Sequence, residues 1–222
     1  MLRARLSRSP LAGEGWGEGD SLSPETLYCY LMNCRSPDFD EFDAHSVASI
    51  LALSFSEAAA EDRALTSATG LASEQLTDFV TRVFPDAAPR RLLVRAGEVE
   101  RSAEEACLLD LLASCTTSGT AFQMRLAAMM ARRAQRPNHL WQDLGLRSRR
   151  DLSELMNRHF RPLARRNTHD MKWKKFFYRL ICADASYTLC TAPSCGECDD
   201  FNHCFGEETG EALLARNWRQ AG

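Results

Sequence analysis

Apolar residues recur every three or four positions along most of the chain, the spacing that lines one face of an α-helix. The clearest stripes, in chain order, are Leu27/Tyr28/Leu31, Val47/Ile50/Leu51/Phe55, Leu76/Phe79/Val80/Val83/Phe84, Leu108/Leu111/Leu112/Cys115, Phe122/Leu126/Met129/Met130, Leu152/Leu155/Met156/His159/Phe160 and Trp173/Phe176/Phe177/Leu180/Ile181. Alternating strand patterns are nearly absent. The segment "RRLLVR" at 90–95 could be a short strand, but no partner strand is evident. The pattern predicts an all-α, multi-helix domain over residues 23–185.

Polar residues mark three of the predicted helix starts. Ser23 precedes a proline suited to the first helical position, Ser73 is a plausible cap, and Asp151 with Glu154 forms a capping pair. Most apolar stripes are expected to form the core. Cys107 and Cys115 should pack there as small apolar residues, and Met129 and Met130 should fill gaps.

The remaining chain lacks this helical pattern. Residues 1–22 hold four of the 12 glycines and predict a disordered N-terminal extension. Residues 186–210 form a cysteine-rich loop, which we expect to hold a metal cluster, and residues 211–222 form a tail. The sequence therefore predicts a helical domain followed by a metal-binding loop.

Composition narrows the class of protein. The 222 residues are 45% hydrophobic and 26% charged, as in an ordinary globular protein, and the net charge of −3 argues against a polyanion-binding role for the whole molecule. No apolar run is long enough for a membrane span, and the N-terminus lacks the apolar stretch of a signal peptide. A soluble cytoplasmic protein is expected. The sequence contains no Walker loop, HExxH or Gly-x-Ser-x-Gly motif, any of which would indicate an enzyme.

Four of the nine cysteines fall close together, at Cys190, Cys195, Cys198 and Cys204. In a reducing cytosol, clustered cysteines are more often metal ligands than disulfides. Thiolates select zinc, copper(I) or iron–sulfur clusters. The C-x4-C-x2-C spacing with a fourth cysteine is that of iron–sulfur ligation, whereas a four-cysteine zinc site usually has two CxxC turns. The spacing favours a cluster and leaves structural zinc and a redox thiol set as alternatives.

Charge is unevenly distributed near these cysteines. Residues 197–211 contain six acids and no Lys or Arg, which argues against a zinc ribbon that grips nucleic acid. Residues 161–180 contain seven Lys or Arg and one Asp. That basic run is either the solvated face of the last helix or a docking face for an acidic partner protein or an oxyanion such as molybdate.

Five further residues are candidate ligands with simpler alternatives. Cys182 is either a core cysteine or an extra thiolate, and His203 either points away from the cluster or contacts it. His159 shares an apolar face and is expected to be a satisfied core histidine. His139 and His169 lie at helix boundaries, where capping or local hydrogen bonding competes with a role over the cluster or towards incoming molybdate.

Several longer strings extend the cysteine motif. "NHLWQDLGL", "LSELMNRHFRPLARRN", "DMKWKKFFYRLIC" and "CTAPSCGECDDFNHCFGEE" occur in this order over roughly the last third of the chain. Together they resemble the NifQ family of nitrogen-fixation proteins. The resemblance implies a non-enzymatic metal carrier. Such a carrier holds an iron–sulfur cluster, incorporates molybdenum and supplies it to the cofactor assembly scaffold, with the nitrogenase iron protein involved.

By the same resemblance, the cluster ligands are Cys190, Cys195, Cys198 and Cys204. Cys204 follows the longest spacer and is the candidate for an exchangeable ligand at the position where molybdenum enters. Two other functions stay open, a ferredoxin-like electron-transfer module and a zinc-stabilised interaction module. The large helical scaffold before the cysteines favours a carrier that docks on partners.

Overall fold

The computed structural model describes residues 23–87, 97–168 and 170–184. Within these ranges the chain forms helices and no strand, which confirms the all-α prediction there. The helices are α1 Pro24–Asn33, α2 Glu41–Ala60, α3 Leu65–Thr69, α4 Ser73–Val83, α5 Ala103–Ser114, α6 Ala121–Arg133, α7 Leu140–Asp143, α8 Arg149–His159, α9 Arg161–Arg166 and α10 Trp173–Asp184. The predicted extension 1–22, the segment 90–95, the loop 186–210 and the tail 211–222 lie outside the described residues.

Helix α2 is the centre of the domain. Every residue from Ala44 to Ser54 is buried, although the sequence pattern predicted a helix with one apolar face. Alanine and serine occupy much of this stretch, and such small side chains let neighbouring helices approach from several sides. Helices α1 and α3 both pack against α2.

The other helices pack in pairs around this centre. Helix α6 contacts α3, α4 and α5, and α8 contacts α7 and α9. Helix α10 packs against α5. The last described helix is therefore part of the same core and not an appendage to it.

Helix starts were predicted with mixed success. The Ser23 side chain accepts a hydrogen bond from the backbone N–H of Thr26 at 3.2 Å, which confirms that cap. Ser73 is instead the first residue of α4, which begins after Ala72. Asp151 does not cap α8 either. The cap is Ser148, whose hydroxyl accepts from the Asp151 N–H at 3.3 Å.

The core contains the predicted apolar stripes. Met129 and Met130 are fully buried, as expected of gap-filling residues, and Cys115 packs against the core while partly exposed. Cys107 is also only partly buried. Three short helices, α3, α7 and α9, carry too few turns to show a helical pattern, and the sequence did not predict them.

Candidate functional site

The predicted cluster ligands Cys190, Cys195, Cys198 and Cys204 lie outside the described residues, as do His169 and His203. Cys182 belongs to the final turn of α10. Helix α10 is thus the described element that leads into the cysteine-rich segment. For the predicted site, the structure therefore describes how α10 is attached to the domain.

Aromatic packing attaches the first half of α10. Trp173, Phe176 and Phe177 are buried. Within α10 the Trp173 ring centroid lies 5.8 Å from that of Phe176 and 5.7 Å from that of Phe177, so these ring contacts stabilise the helix itself. All three rings also belong to the apolar core of the domain, and α10 packs against α5. Burial of the three rings in this core therefore fixes the start of α10 on the domain.

An ion pair inside the protein reinforces this attachment. The Lys174 ammonium lies 2.5 Å from Asp143 Oδ2, and the two side chains are only 9% and 1% exposed. Lys174 also donates to the backbone carbonyl of Arg136. The second carboxylate oxygen of Asp143 accepts from Asn138 Nδ2 at 3.2 Å. The pair joins α10 to α7 and to the turn before it.

A second charged contact links this pair to the central helix. Arg133 is buried, and its Nε donates to the backbone carbonyl of Asp143 at 2.6 Å. Its two terminal nitrogens bind both carboxylate oxygens of Glu57 at 2.6 and 2.9 Å. Such bidentate pairs fix geometry as well as adding energy. Charged contacts thus connect α2, α6, α7 and α10.

The basic side chains of the run at 161–180 differ in their exposure to solvent. Arg161, Arg165, Arg166 and Arg179 are exposed, as expected of a solvated or docking face. Lys174 is buried, and the sequence did not predict that. Lys172 and Lys175 are partly buried. The run is therefore partly a structural anchor.

A small cleft opens where α7, α8 and α10 begin. Its described lining residues are Asn138, His139, Leu140, Trp141, Arg149, Leu152, Lys172, Trp173 and Lys174. The cleft volume is ≈ 20 Å³, room for little more than one water-sized group. It can take a small ion or the end of a side chain and excludes a nucleotide.

The histidines in the described ranges have structural partners. His159 Nε2 lies 2.9 Å from Asp43 Oδ1, and its Nδ1 lies 3.5 Å from the Gln123 amide nitrogen. The prediction of a satisfied core histidine is confirmed. His139 is the residue before α7, and its backbone N–H donates to Gln142 Oε1 at 3.1 Å. His139 therefore lies at the helix boundary as predicted, where a local hydrogen bond involves its backbone and not its side chain as a cap, and it also lines the cleft.

His45 was not singled out from the sequence. Its Nδ1 lies 2.9 Å from the Tyr28 hydroxyl, and its Nε2 lies 3.9 Å from Asp151 Oδ2. Burial, reinforced by the charge of Arg147, lowers the pKa of His45 to about 4, against an opposing effect of Asp151. His45 is therefore neutral at pH 7. A histidine within a helix buried on all sides gives no periodic signal that would identify it.

The described ranges hold no group of three or more His, Cys, Asp or Glu arranged to bind a metal ion. Four cysteines in them are free thiols, namely Cys29, Cys34, Cys107 and Cys115. None of the helices in the described part has the length and apolar character needed to cross a membrane.

Fold and site together define a class of protein. It is a helical domain, in the part described, whose last described helix is anchored in the core and is followed in the chain by four clustered cysteines. The family model described as NifQ matches residues 46–206. The chain belongs to the NifQ family.

Curated relatives agree with this assignment. The chain is 42% identical over 175 residues to a protein NifQ homolog of Sinorhizobium fredii, a match that covers 78% of this chain and 75% of the relative. It is 52% identical over 84 residues to protein NifQ of Rhodobacter capsulatus, covering 37% of this chain and 46% of the relative. Against protein NifQ of Azotobacter vinelandii it is 41% identical over 86 residues, covering 39% and 44%. The last two matches thus span less than half of those relatives. No solved structure matches the chain significantly.

Proposed function

We propose that this chain is an iron–sulfur protein that takes up molybdenum and delivers it to the assembly of the nitrogenase iron–molybdenum cofactor. The observation that carries the proposal is the extent of the family match. Residues 46–206 include Cys190, Cys195, Cys198 and Cys204 together with the helical domain before them. NifQ is a nitrogen-fixation family, and the proposal assigns this chain the metal-carrier step.

The donor set suits the proposed cargo. Four thiolates within fifteen residues form a soft, electron-rich site, which favours iron–sulfur clusters and thiophilic metals over magnesium or calcium. The C-x4-C-x2-C spacing is a known iron–sulfur arrangement. A carrier must also release its metal, so at least one ligand has to exchange, and the proposal gives that role to Cys204.

The helical domain suits docking on partners. Arg161, Arg165, Arg166 and Arg179 are exposed along α9 and α10, next in the chain to the cysteine-rich segment. Exposed arginines favour encounter with acidic protein surfaces. In this proposal they face the cofactor assembly scaffold or the nitrogenase iron protein, so that the cargo is presented where it is used.

The first experiment is metal and acid-labile sulfide analysis of protein purified without oxygen from cells given molybdate. Iron with matching sulfide, plus molybdenum, is expected. Cys195→Ala should lose iron, whereas Cys29→Ala, which changes an exposed free thiol in α1, should keep it. One zinc per chain without sulfide would contradict the proposal and favour the interaction module.

A transfer assay tests the delivery step. The loaded protein is added to assembly scaffold and nitrogenase iron protein in a cofactor synthesis reaction without other molybdenum. Cofactor formation that depends on the loaded protein is expected. Iron and sulfide without molybdenum, and no support of synthesis, would favour the electron-transfer alternative.

A further inference from the structure

Four exposed arginines on α9 and α10 have no carboxylate partner in the described part of the chain. These α9–α10 arginines are Arg161, Arg165, Arg166 and Arg179. No ion pair or side-chain hydrogen bond joins any of them to another described residue. Elsewhere on the described surface, arginines such as Arg63, Arg125 and Arg158 pair with a carboxylate of the same protein. Lys172 and Lys175 interact with other groups of the protein and are not counted with the four.

The two helices that carry these arginines are held close to the same part of the domain. The backbone N–H of Arg161 donates to the Thr117 hydroxyl at 3.0 Å, just after α5, and α10 packs against α5. Asn167 closes the short connection between α9 and α10, because its side chain bonds the backbone N–H and the C=O of Met171, each at 2.9 Å. The run 161–180 contains a single acid, Asp170, so positive charge remains in excess there.

A strongly acidic stretch follows in the same chain. Residues 197–211 contain no Lys or Arg and six acids, namely Glu197, Asp199, Asp200, Glu207, Glu208 and Glu211. One exposed ion pair contributes little to stability, but several charges that form a network contribute more. The stretch and the α9–α10 arginines are therefore complementary in charge.

The connecting chain is long enough to bring the two together. Thirteen residues lead from Asp184, the last described residue, to Glu197, and they can span about 45 Å. Helix α10 has 12 residues and is about 18 Å long. The acidic stretch can therefore reach each of the four arginines. A short tether also gives an effective concentration on the order of millimolar, so weak contacts suffice.

We propose that the acidic stretch 197–211 binds the α9–α10 arginines of its own chain. The contact lays the last two clustered cysteines, Cys198 and Cys204, against the described domain. An acidic partner surface that docks on the same arginines then has to displace the stretch, and docking frees the metal-binding segment. That last step rests on the proposed function, whereas the contact itself depends only on charge and reach.

Cleavage by endoproteinase Glu-C, which cuts after glutamate, tests the contact. Full-length protein purified without oxygen is digested briefly at low ionic strength. Mass spectrometry then times the release of the chain that follows Glu207 and Glu208. Arg165→Gln with Arg166→Gln should speed this release about fivefold, because two exposed ion pairs are lost. At high salt the difference between this double variant and wild type should disappear.

A second pair of arginines controls for net charge. Arg82 in α4 and Arg150 in α8 are also exposed and have no ion pair with a described residue, but they belong to other helices. Arg82→Gln with Arg150→Gln should stay within about 1.5-fold of wild type. Equal acceleration by the two double variants, or acceleration by neither, would overturn the proposal. Iron is measured in every variant, so that loss of metal is not mistaken for release of the stretch.

The acidic side of the contact can be changed without touching the cleavage sites. Asp199→Asn with Asp200→Asn should also speed the release about fivefold. Combined with Arg165→Gln and Arg166→Gln, this pair should give clearly less than the product of the two separate effects, because both pairs of changes remove the same contacts. Effects that multiply independently would overturn direct pairing.

Protein concentration separates one chain from two. The release rate per chain should stay constant over about a hundredfold range of concentration, as expected of a tethered contact. Protection that rises with concentration would show that a second copy supplies the stretch, and would overturn the proposal.

Failure of this contact and failure of the proposed function are distinguishable. Protection of the stretch in a chain that does not deliver molybdenum refutes the proposed function and leaves the contact supported. Delivery by a chain whose stretch is cleaved equally fast in all variants refutes the contact alone.

Discussion

Replacing Lys174 by methionine isolates the ion pair that fixes the start of α10. Methionine keeps most of the length of the side chain and removes the charge. The Asp143 carboxylate, 1% exposed, is then left without its cation and retains the Asn138 amide as a donor. Removing one partner of a buried ion pair typically costs about 3–5 kcal/mol, because the other charge stays buried and uncompensated. The variant should lose a large part of the free energy of unfolding.

Urea unfolding at pH 7, followed by far-UV circular dichroism, measures this loss. Arg63→Met is the matched control. Its ion pair with Glu61 joins two exposed side chains, 39% and 38% accessible, and exposed pairs contribute about 0–1 kcal/mol. The buried variant should therefore unfold at clearly lower urea concentration than wild type, and the exposed variant close to it.

A double variant separates charge from packing. Lys174→Met with Asp143→Asn removes the buried charge and keeps an acceptor for Asn138, so it should recover at least half of the lost stability. A single-variant loss below about 1 kcal/mol would refute the view that the pair anchors α10. A double variant no more stable than the single one would show that packing or the hydrogen bond to the backbone matters more than the charge.

Four further predictions concern His45, Gly70, Cys204 and removal of the metal. The pKa of His45 is about 4 in the folded protein and 6.5 in the unfolded chain, so the unfolded chain binds more protons between these pH values. The free energy of unfolding should therefore fall by up to about 3 kcal/mol as the pH drops through this window. His45→Gln should flatten the pH dependence of urea unfolding. Gly70→Ala should lower the free energy of unfolding by roughly 2–3 kcal/mol, and Gly119→Ala by about 1 kcal/mol, as measured by thermal or urea unfolding. Both glycines have a positive φ, but only at Gly70 would the new Cβ meet atoms at 3.0 and 3.1 Å. Cys204→Ala should keep iron and lose molybdenum on metal analysis; loss of all iron would contradict the exchangeable-ligand role. Chelating the metal should leave the far-UV circular dichroism at 222 nm nearly unchanged, and a large loss of helix would contradict an independently stable domain.

The longer helices could be predicted from the sequence because each buries one regular stripe. Residues such as Leu76 and Phe79 in α4, or Leu155 and Met156 in α8, are buried as their spacing indicates. Helix boundaries were less certain, since Ser and Asp can each occupy more than one position near a helix start. Ser73 and Asp151 were placed one and three residues from the actual caps.

The described part of the site could be predicted only in outline. The basic run was evident, but the burial of Lys174 depends on Asp143, 31 residues earlier in the chain. Such a contact forms only when α7 and α10 meet, and no local pattern encodes it.

In the proposed function, the helical domain supplies the stability of the protein and the cysteine-rich segment holds and releases the metal. The described helices bury a continuous apolar core, from Leu27 in α1 to Phe177 in α10, together with the ion pair of Lys174 and Asp143. A zinc finger, by contrast, obtains its folding free energy from the metal and unfolds without it. A carrier built like that would unfold at each delivery. In the proposed function, a core that forms from side chains alone would let the metal leave while α10 stays anchored, so that the chain could reload without refolding. This separation is the physical reason why a metal carrier benefits from a helical scaffold much larger than its metal-binding segment.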